Sequence, residues 1–209
     1  MIENNSLNWK YKGASISGYY SGAFNNIYVY QTIDYLIQCG VNAIQIVITW
    51  YQEDLRTSNI HRHPSKSVPD KDLIKIIRYI RKKGLVINLN PHVDLQFDSK
   101  EWRAKIAPEN ISLWFDNYRK FLVHFLDIAI EHDLELFTIG TEMISMSRKE
   151  NLEYWIELVS FLREYKNHAY RGKLSYIADK TEVFGLPSFT LADGSVMDVL
   201  VLDGKFWEL

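Results

Sequence analysis

The sequence predicts an α/β fold built on a parallel sheet, and three observations carry that expectation. Short, nearly continuous apolar runs recur along the chain. Amphipathic helical stretches separate them. An aromatic residue, a carboxylate or a histidine follows each run. Continuous apolar runs suit strands buried on both faces, as in parallel sheets. Alternation with helices is the pattern of βαβ units.

The expected strands are residues 13–18, 42–49, 85–90, 134–140, 173–178 and 197–203. Ala43 to Ile48 and Leu85 to Leu89 are the clearest, with Leu134 to Ile139 and Val199 to Leu202 of the same kind. Ile33, Leu36 and Ile37 mark a helix ending before Gly40. Leu73, Ile76, Ile77 and Ile80 keep the helical period, with Asp70 as N-cap and Gly84 as the stop. The longest helix is expected from Ile111 to Glu131, with Trp114, Tyr118, Phe121, Leu122 and Phe125 on one face. Leu152, Trp155, Val159 and Leu162 mark another. The stretch 179–196, with Gly185, Pro187 and Gly194, reads as a loop.

The 209 residues make a single domain over 1–209. The net charge of −2 leaves no basic excess to neutralise phosphates, so no nucleic-acid partner is expected. Six Trp, 13 Tyr and 10 Phe supply core, and an excess of this kind also suits stacking on sugar rings. Cys39 is the only cysteine, so neither a disulfide nor a Cys-based zinc site is expected; it reads as a small buried residue. Met1 to Asn5 shows no signal-peptide pattern and no apolar run spans a membrane, so a cytoplasmic location is expected. P-loop, G-x-G-x-x-G, G-x-S-x-G and H-E-x-x-H patterns are absent.

Parallel α/β folds bind ligands at the carboxyl ends of their strands. Those ends carry Thr49-Trp50-Tyr51, Asn90-Pro91-His92-Val93-Asp94, Gly140-Thr141-Glu142, Tyr176 to Asp179, and Asp203 to Glu208 with Phe206 and Trp207. Glu142 is the sharpest candidate. A carboxyl on a rigid strand end, partly desolvated, can hold a proton near neutral pH and serve as a general acid; the plainer alternative is a solvated helix-capping Glu. His92 and Asp94 can bind a metal, bind substrate hydroxyls, or order a loop. Trp102-Arg103 can form a stacking and hydrogen-bonding wall or anchor a loop. His61-Arg62-His63 has metal-ligand spacing but lies in a polar loop.

Taken together, the 41–52 run, Asn90-Pro91-His92-Val93-Asp94, Trp102-Arg103, Trp114-Phe115 and Ile139-Gly140-Thr141-Glu142 resemble glycoside hydrolase family 113. The resemblance covers roughly residues 13–178 and implies a (β/α)8 TIM barrel with endo-β-1,4-mannanase activity. It implies a retaining mechanism with Glu142 as acid/base and no cofactor or metal. The substrate would be a β-linked, mannan-type glycan, bound by Trp50, Asn90, His92, Asp94, Trp102, Arg103, Tyr176, Phe206 and Trp207. The sequence departs from the family pattern at Tyr176-Ile177-Ala178-Asp179, which ends in Asp, and at Asp203-Gly204-Lys205-Phe206.

About six strands are expected, so the barrel is expected to be incomplete. Strands 7 and 8, and the family's second Glu, are then missing from the chain; Asp203 or Glu208 are the stand-ins. Open strand edges call for a homodimer or another partner to cover them. Two other functions stay open: an inactive carbohydrate-binding relative, and a metal-dependent barrel hydrolase using His92 and Asp94.

Overall fold

The computed structural model describes residues 11–97, 101–179, 181–182 and the backbone of 199–202. Its elements run β1 (Gly13–Gly18), α1 (Ile27–Gln38), β2 (Ala43–Gln52), α2 (Asp70–Lys82), β3 (Val86–Leu95), α3 (Ile111–Glu131), β4 (Leu136–Thr141), α4 (Leu152–His168), β5 (Lys173–Ala178) and β6 (Val199–Leu202). Short 3-10 turns at Arg103–Lys105 and Lys149–Asn151 precede α3 and α4.

All neighbouring strands pair in parallel, in the order β1-β2-β3-β4-β5-β6. A doubly wound sheet reverses its strand order at a switch point; this one does not. Right-handed crossovers taken always in one direction place every helix on one face. The result is an arc of a TIM barrel, with β1 and β6 at its two unjoined ends.

β2 and β3 run longer than the sequence suggests. Their pairing continues in register from Ala43 with Val86 to Gln52 with Leu95. Trp50, Tyr51, His92 and Asp94 therefore sit inside strands, where pairing and alternation fix their directions.

The sheet has two unlike faces. Toward the helices, the Trp50 ring packs against Phe121 and Phe125 of α3, and Trp114 Nε1 donates to Gln52 Oε1 at 2.9 Å. Trp114, Tyr118, Trp155 and Phe137 are buried in the same layer, with Trp114 and Tyr118 stacked at 4.5 Å. The opposite face carries a polar ladder across five strands. Gln45 Nε2 donates to Ser15 Oγ at 3.1 Å and Asn88 Nδ2 to Gln45 Oε1 at 2.9 Å. Thr138 Oγ1 then donates to Asn88 Oδ1 at 3.1 Å and lies 2.8 Å from Ser175 Oγ. Each of these side chains finds a partner on the next strand, which at the buried Thr138 and Ser175 offsets the cost of burial.

Helix ends follow the sequence with two corrections. Asn26 and Asn110 cap α1 and α3 by accepting from Val29 N and Leu113 N. Gly84 follows α2 at φ +75, a conformation that favours glycine. The α2 N-cap is Pro69 rather than Asp70, whose carboxylate is engaged by Arg62 and His124. Cys39 is exposed rather than buried, because it is the C-cap of α1, in the turn that leads to β2 and off the helix face that packs on the sheet.

Candidate active site

β4 is regular as far as Thr138, and its pairing with β5 then shifts register between Thr138 and Thr141. A bulge of this kind re-aims the side chains that follow. Thr138 faces the polar ladder, and Thr141 faces the same way, donating to Asn90 Oδ1 at 3.0 Å. Gly140 points to the helix side: a Cβ there would lie 2.6 Å from Tyr176 Cε2 and 3.1 Å from Trp155 Cη2.

Glu142 follows with φ 50, a left-handed conformation. It costs a non-glycine residue about 1–2 kcal/mol and is held where surrounding bonds over-determine it. Glu142 N donates to Ile177 O at 2.8 Å.

The Glu142 carboxylate meets Arg103. Arg103 Nη1 donates to Glu142 Oε2 at 3.0 Å, and both side chains are nearly buried, at 12% and 13% exposure. Arg103 is placed by its short 3-10 turn, which is docked onto the loop after β4 by Ser145 N donating to Ala104 O at 2.9 Å. Its other terminal nitrogen lies 3.3 Å from His92 Nδ1 and 3.9 Å from Asp94 Oδ2. A guanidinium has no acceptor, so it donates and His92 Nδ1 accepts. The His92 proton is therefore on Nε2, a buried atom without a hydrogen-bond partner among the described residues. Burial, reinforced by the Arg103 charge, pushes the His92 imidazole down to about 3, so it is neutral. Tyr51, registered with Asp94, joins the same corner; burial and the Asp94 charge push its phenol up to about 12. One cation thus gathers two carboxylates and a neutral imidazole at the carboxyl ends of β3 and β4.

The sequence matches the family model described as Glycoside Hydrolase Family 113 over residues 14–193. The chain belongs to glycoside hydrolase family 113. No curated protein sequence matches it. Among solved structures, a GH113 β-1,4-mannanase in a complex aligns with a TM-score of 0.79 at 24% identity, over 93% of this chain and 62% of its own. The GH113 β-mannanase AaManA from Alicyclobacillus acidocaldarius, in complex with ManMIm, aligns with a TM-score of 0.73 at 20% identity, over 82% of this chain and 55% of its own. At these identities the likeness is one of fold. The chain spans less than two thirds of the length of either structure.

Within this GH113 fold the expected site residues divide into two groups. Asn90, His92, Asp94, Arg103 and Glu142 fall on the polar face or its rim, and Trp102 stands beside them, part-exposed, its ring 5.9 Å from the Arg103 guanidinium. Trp50 and Tyr176 do not join them. Trp50 points to the helices, where it also meets His124 and the Arg62 guanidinium. Tyr176 is fully buried against Trp155, its hydroxyl engaged by Glu182 and Met143. The cleft wall expected from them is instead packing, because their strand parity is opposite to that of His92. Phe206, Trp207, Asp203 and Glu208 lie outside the described residues.

Tyr51 was not among the expected contacts, although it neighbours Trp50. Its register with Asp94 is the signal that distinguishes the two. Glu182 was not expected either. A buried carboxylate there accepts from Tyr176, Ser147 and Asp179 N.

His61 and His63 are each engaged locally, His61 with Gln96 and His63 with Ser65 and Lys66. Among the described residues no group of three or more His, Cys, Asp or Glu side chains is placed to hold a metal ion. Among the described residues no helix is long and apolar enough to cross a membrane. A separate apolar hollow of about 370 Å³ lies at the ends of β2 and β3, lined by Leu55, Leu95 and Phe97 with Glu53, Asp54, Arg56 and Glu101. None of the ion-paired cluster lines it.

Proposed function

We propose that this chain carries the acid/base side of a retaining glycosidase site that cleaves β-linked, mannan-type glycans. The observation that carries the reading is Glu142, set on a bulged strand end in a left-handed conformation and paired with Arg103. Family membership and the mannanase fold support the substrate class.

In this reading a second carboxylate attacks the anomeric carbon, at about 5–5.5 Å from Glu142 as retaining enzymes require. Glu142 gives its proton to the departing glycosidic oxygen. As a carboxylate it then takes a proton from the water that frees the glycosyl group. Arg103 favours the charged form of Glu142. The second carboxylate opposes this in two ways: it competes for the guanidinium, and its charge favours a protonated neighbour. Its source lies outside the described residues. His92 Nε2, a buried donor without a partner among the described residues, offers a hydrogen bond to a sugar hydroxyl. Asn90, Asp94 and Trp102 complete the glycan contacts.

The test is hydrolysis of β-1,4-mannan oligosaccharides with the anomeric configuration followed by NMR. Glu142→Gln is expected to lose about 10²-fold or more of kcat while oligosaccharide binding persists. Unchanged turnover in that variant removes the assignment. The ion pair itself favours a second reading, a glycan-binding protein without turnover, because it holds Glu142 in the charged form. Binding that weakens in Trp102→Ala, with no cleavage at any pH, decides for it.

A further inference from the structure

We propose that Tyr176 and Glu182 are positioning residues for Glu142: together they clamp the peptide after Glu142 onto β5 and so hold its carboxylate on Arg103. This rests on the reading of Glu142 as acid/base.

Glu142 turns the chain with φ 50, a conformation that needs restraint on both sides. Both restraints come from β5. On the near side Glu142 N donates to Ile177 O at 2.8 Å. On the far side Met143 N donates to Tyr176 Oη at 3.1 Å. The second bond is unusual, since a side-chain hydroxyl does the work of a strand carbonyl. It holds only if that hydroxyl is itself fixed.

Two features fix it. The Tyr176 ring is wedged beside Gly140, where even a methyl group would collide, and meets the Trp155 ring edge-on with centroids 5.8 Å apart. The hydroxyl proton goes to Glu182 Oε1 at 2.5 Å, which leaves oxygen lone pairs for the Met143 N–H. Glu182 is held in turn by Ser147 Oγ at 2.8 Å and Asp179 N at 2.6 Å. Ser147 belongs to the loop that Glu142 opens, so Glu182 ties that loop to β5 a second time. Burial raises the Tyr176 phenol well above its ordinary value, so it remains a donor wherever the protein is folded.

A network of this kind can also be mere packing, and the Glu142 carboxyl distinguishes the two. Among the described residues the charged and titratable groups around it include Arg103, with His92 and Asp94 on the same guanidinium, and Tyr176 with Glu182 behind the peptide. The experiment is a carboxyl carbon NMR titration of Glu142 in the full chain, assigned with Glu142→Gln. In Tyr176→Phe the Met143 N–H loses its acceptor and the carboxyl moves off Arg103. The acid ionisation constant of Glu142 is expected to fall about tenfold. Glu182→Gln should shift it in the same direction by less, and it decides the matter if Tyr176→Phe does not fold. Tyr170→Phe, another buried tyrosine, is the control: it should lower Tm without moving Glu142.

A lowered Tm in Tyr176→Phe with the Glu142 constant within about twofold of the parent overturns the clamp. Mannan hydrolysis is read separately. A parent chain that cleaves nothing overturns the glycosidase reading while the titration still decides the clamp. A parent that cleaves, with kcat and the Glu142 constant unchanged in both variants, overturns the clamp alone.

Discussion

His92 shows how one buried side chain makes the site respond to pH. Its neutral ring accepts from Arg103, and burial with that charge pushes it down to about 3 from 6.5. The folded protein resists binding this proton and the unfolded chain does not. Stability from His92 is therefore complete above about pH 6.5 and is lost as pH falls toward 3, by up to about 1.4 kcal/mol per unit. Glu182 acts in the opposite sense, because burial raises its carboxyl and the folded form gains stability as it protonates. Asp70 is held down to about 2 by His124 and Arg62, so its contribution is lost only below about pH 4. Between pH 6.5 and 4.5 His92 is expected to set a downward slope. His92→Asn, which keeps an acceptor for Arg103, should flatten that slope in urea midpoints taken at pH 6.5, 5.5 and 4.5. Equal slopes in parent and variant would show that His92 does not carry it.

At the scale of elements, β4 decides where the chemistry stands. Its bulge turns Gly140 to the helices and Thr141 to the polar face, and Glu142 leaves the strand from there. A methyl at Gly140 would lie 2.6 Å from the Tyr176 ring, which is too well packed to yield. Gly140→Ala is expected to cost about 1–3 kcal/mol by urea unfolding, as overpacking does. Gly13→Ala, whose new methyl would meet nothing closer than 3.8 Å among the described residues, should cost far less. Equal costs would mean that the tight fit at Gly140 is not real. The same strands show how far the sequence could be read. The runs at 42–49 and 85–90 gave strand identity and order, because an apolar stretch of that length between helices has few alternatives. They did not give parity. Two adjacent aromatics, each with one polar neighbour, leave nothing local to tell Trp50 from Tyr51; only the register with Val93 and Asp94 does. The aromatic excess misled in the same way at Tyr176, expected on a cleft wall and found in the core, whereas Trp114 and Trp155 took the packing positions their helical spacing predicts. The place of Glu142 at the end of β4 was legible because Gly140-Thr141-Glu142 closes an apolar run. The bulge was not, since it depends on pairing with β5, remote in sequence, and neither was Glu182, which lies in a stretch read as a loop.

The described sheet is an arc whose first strand differs from those inside it. Only Ile16 and Gly18 of β1 are buried, whereas eight of the ten β2 residues are. Helix α1, which follows β1, shows the same thinness: Ile27, Tyr28 and Tyr35 are 62%, 73% and 64% exposed. The α1 sequence holds a single charge, Asp34, and that carboxylate is taken by Lys83 and Tyr79. An uncharged aromatic stripe beside an unpaired parallel edge is the surface that monomeric proteins usually avoid. The net charge of −2 adds little repulsion against association. The chain is therefore expected to self-associate in a concentration-dependent way, seen as a rising weight-average mass in sedimentation across a dilution series. Tyr28→Lys with Tyr35→Lys places two cations on the stripe without touching the core, since both side chains point outward. The double variant should hold the monomer mass at concentrations where the parent does not, with an unchanged circular dichroism spectrum. A parent of constant monomer mass across the series would mean that the stripe and the β1 edge are tolerated exposed, and that a partner strand is not needed for this fold to stand in solution.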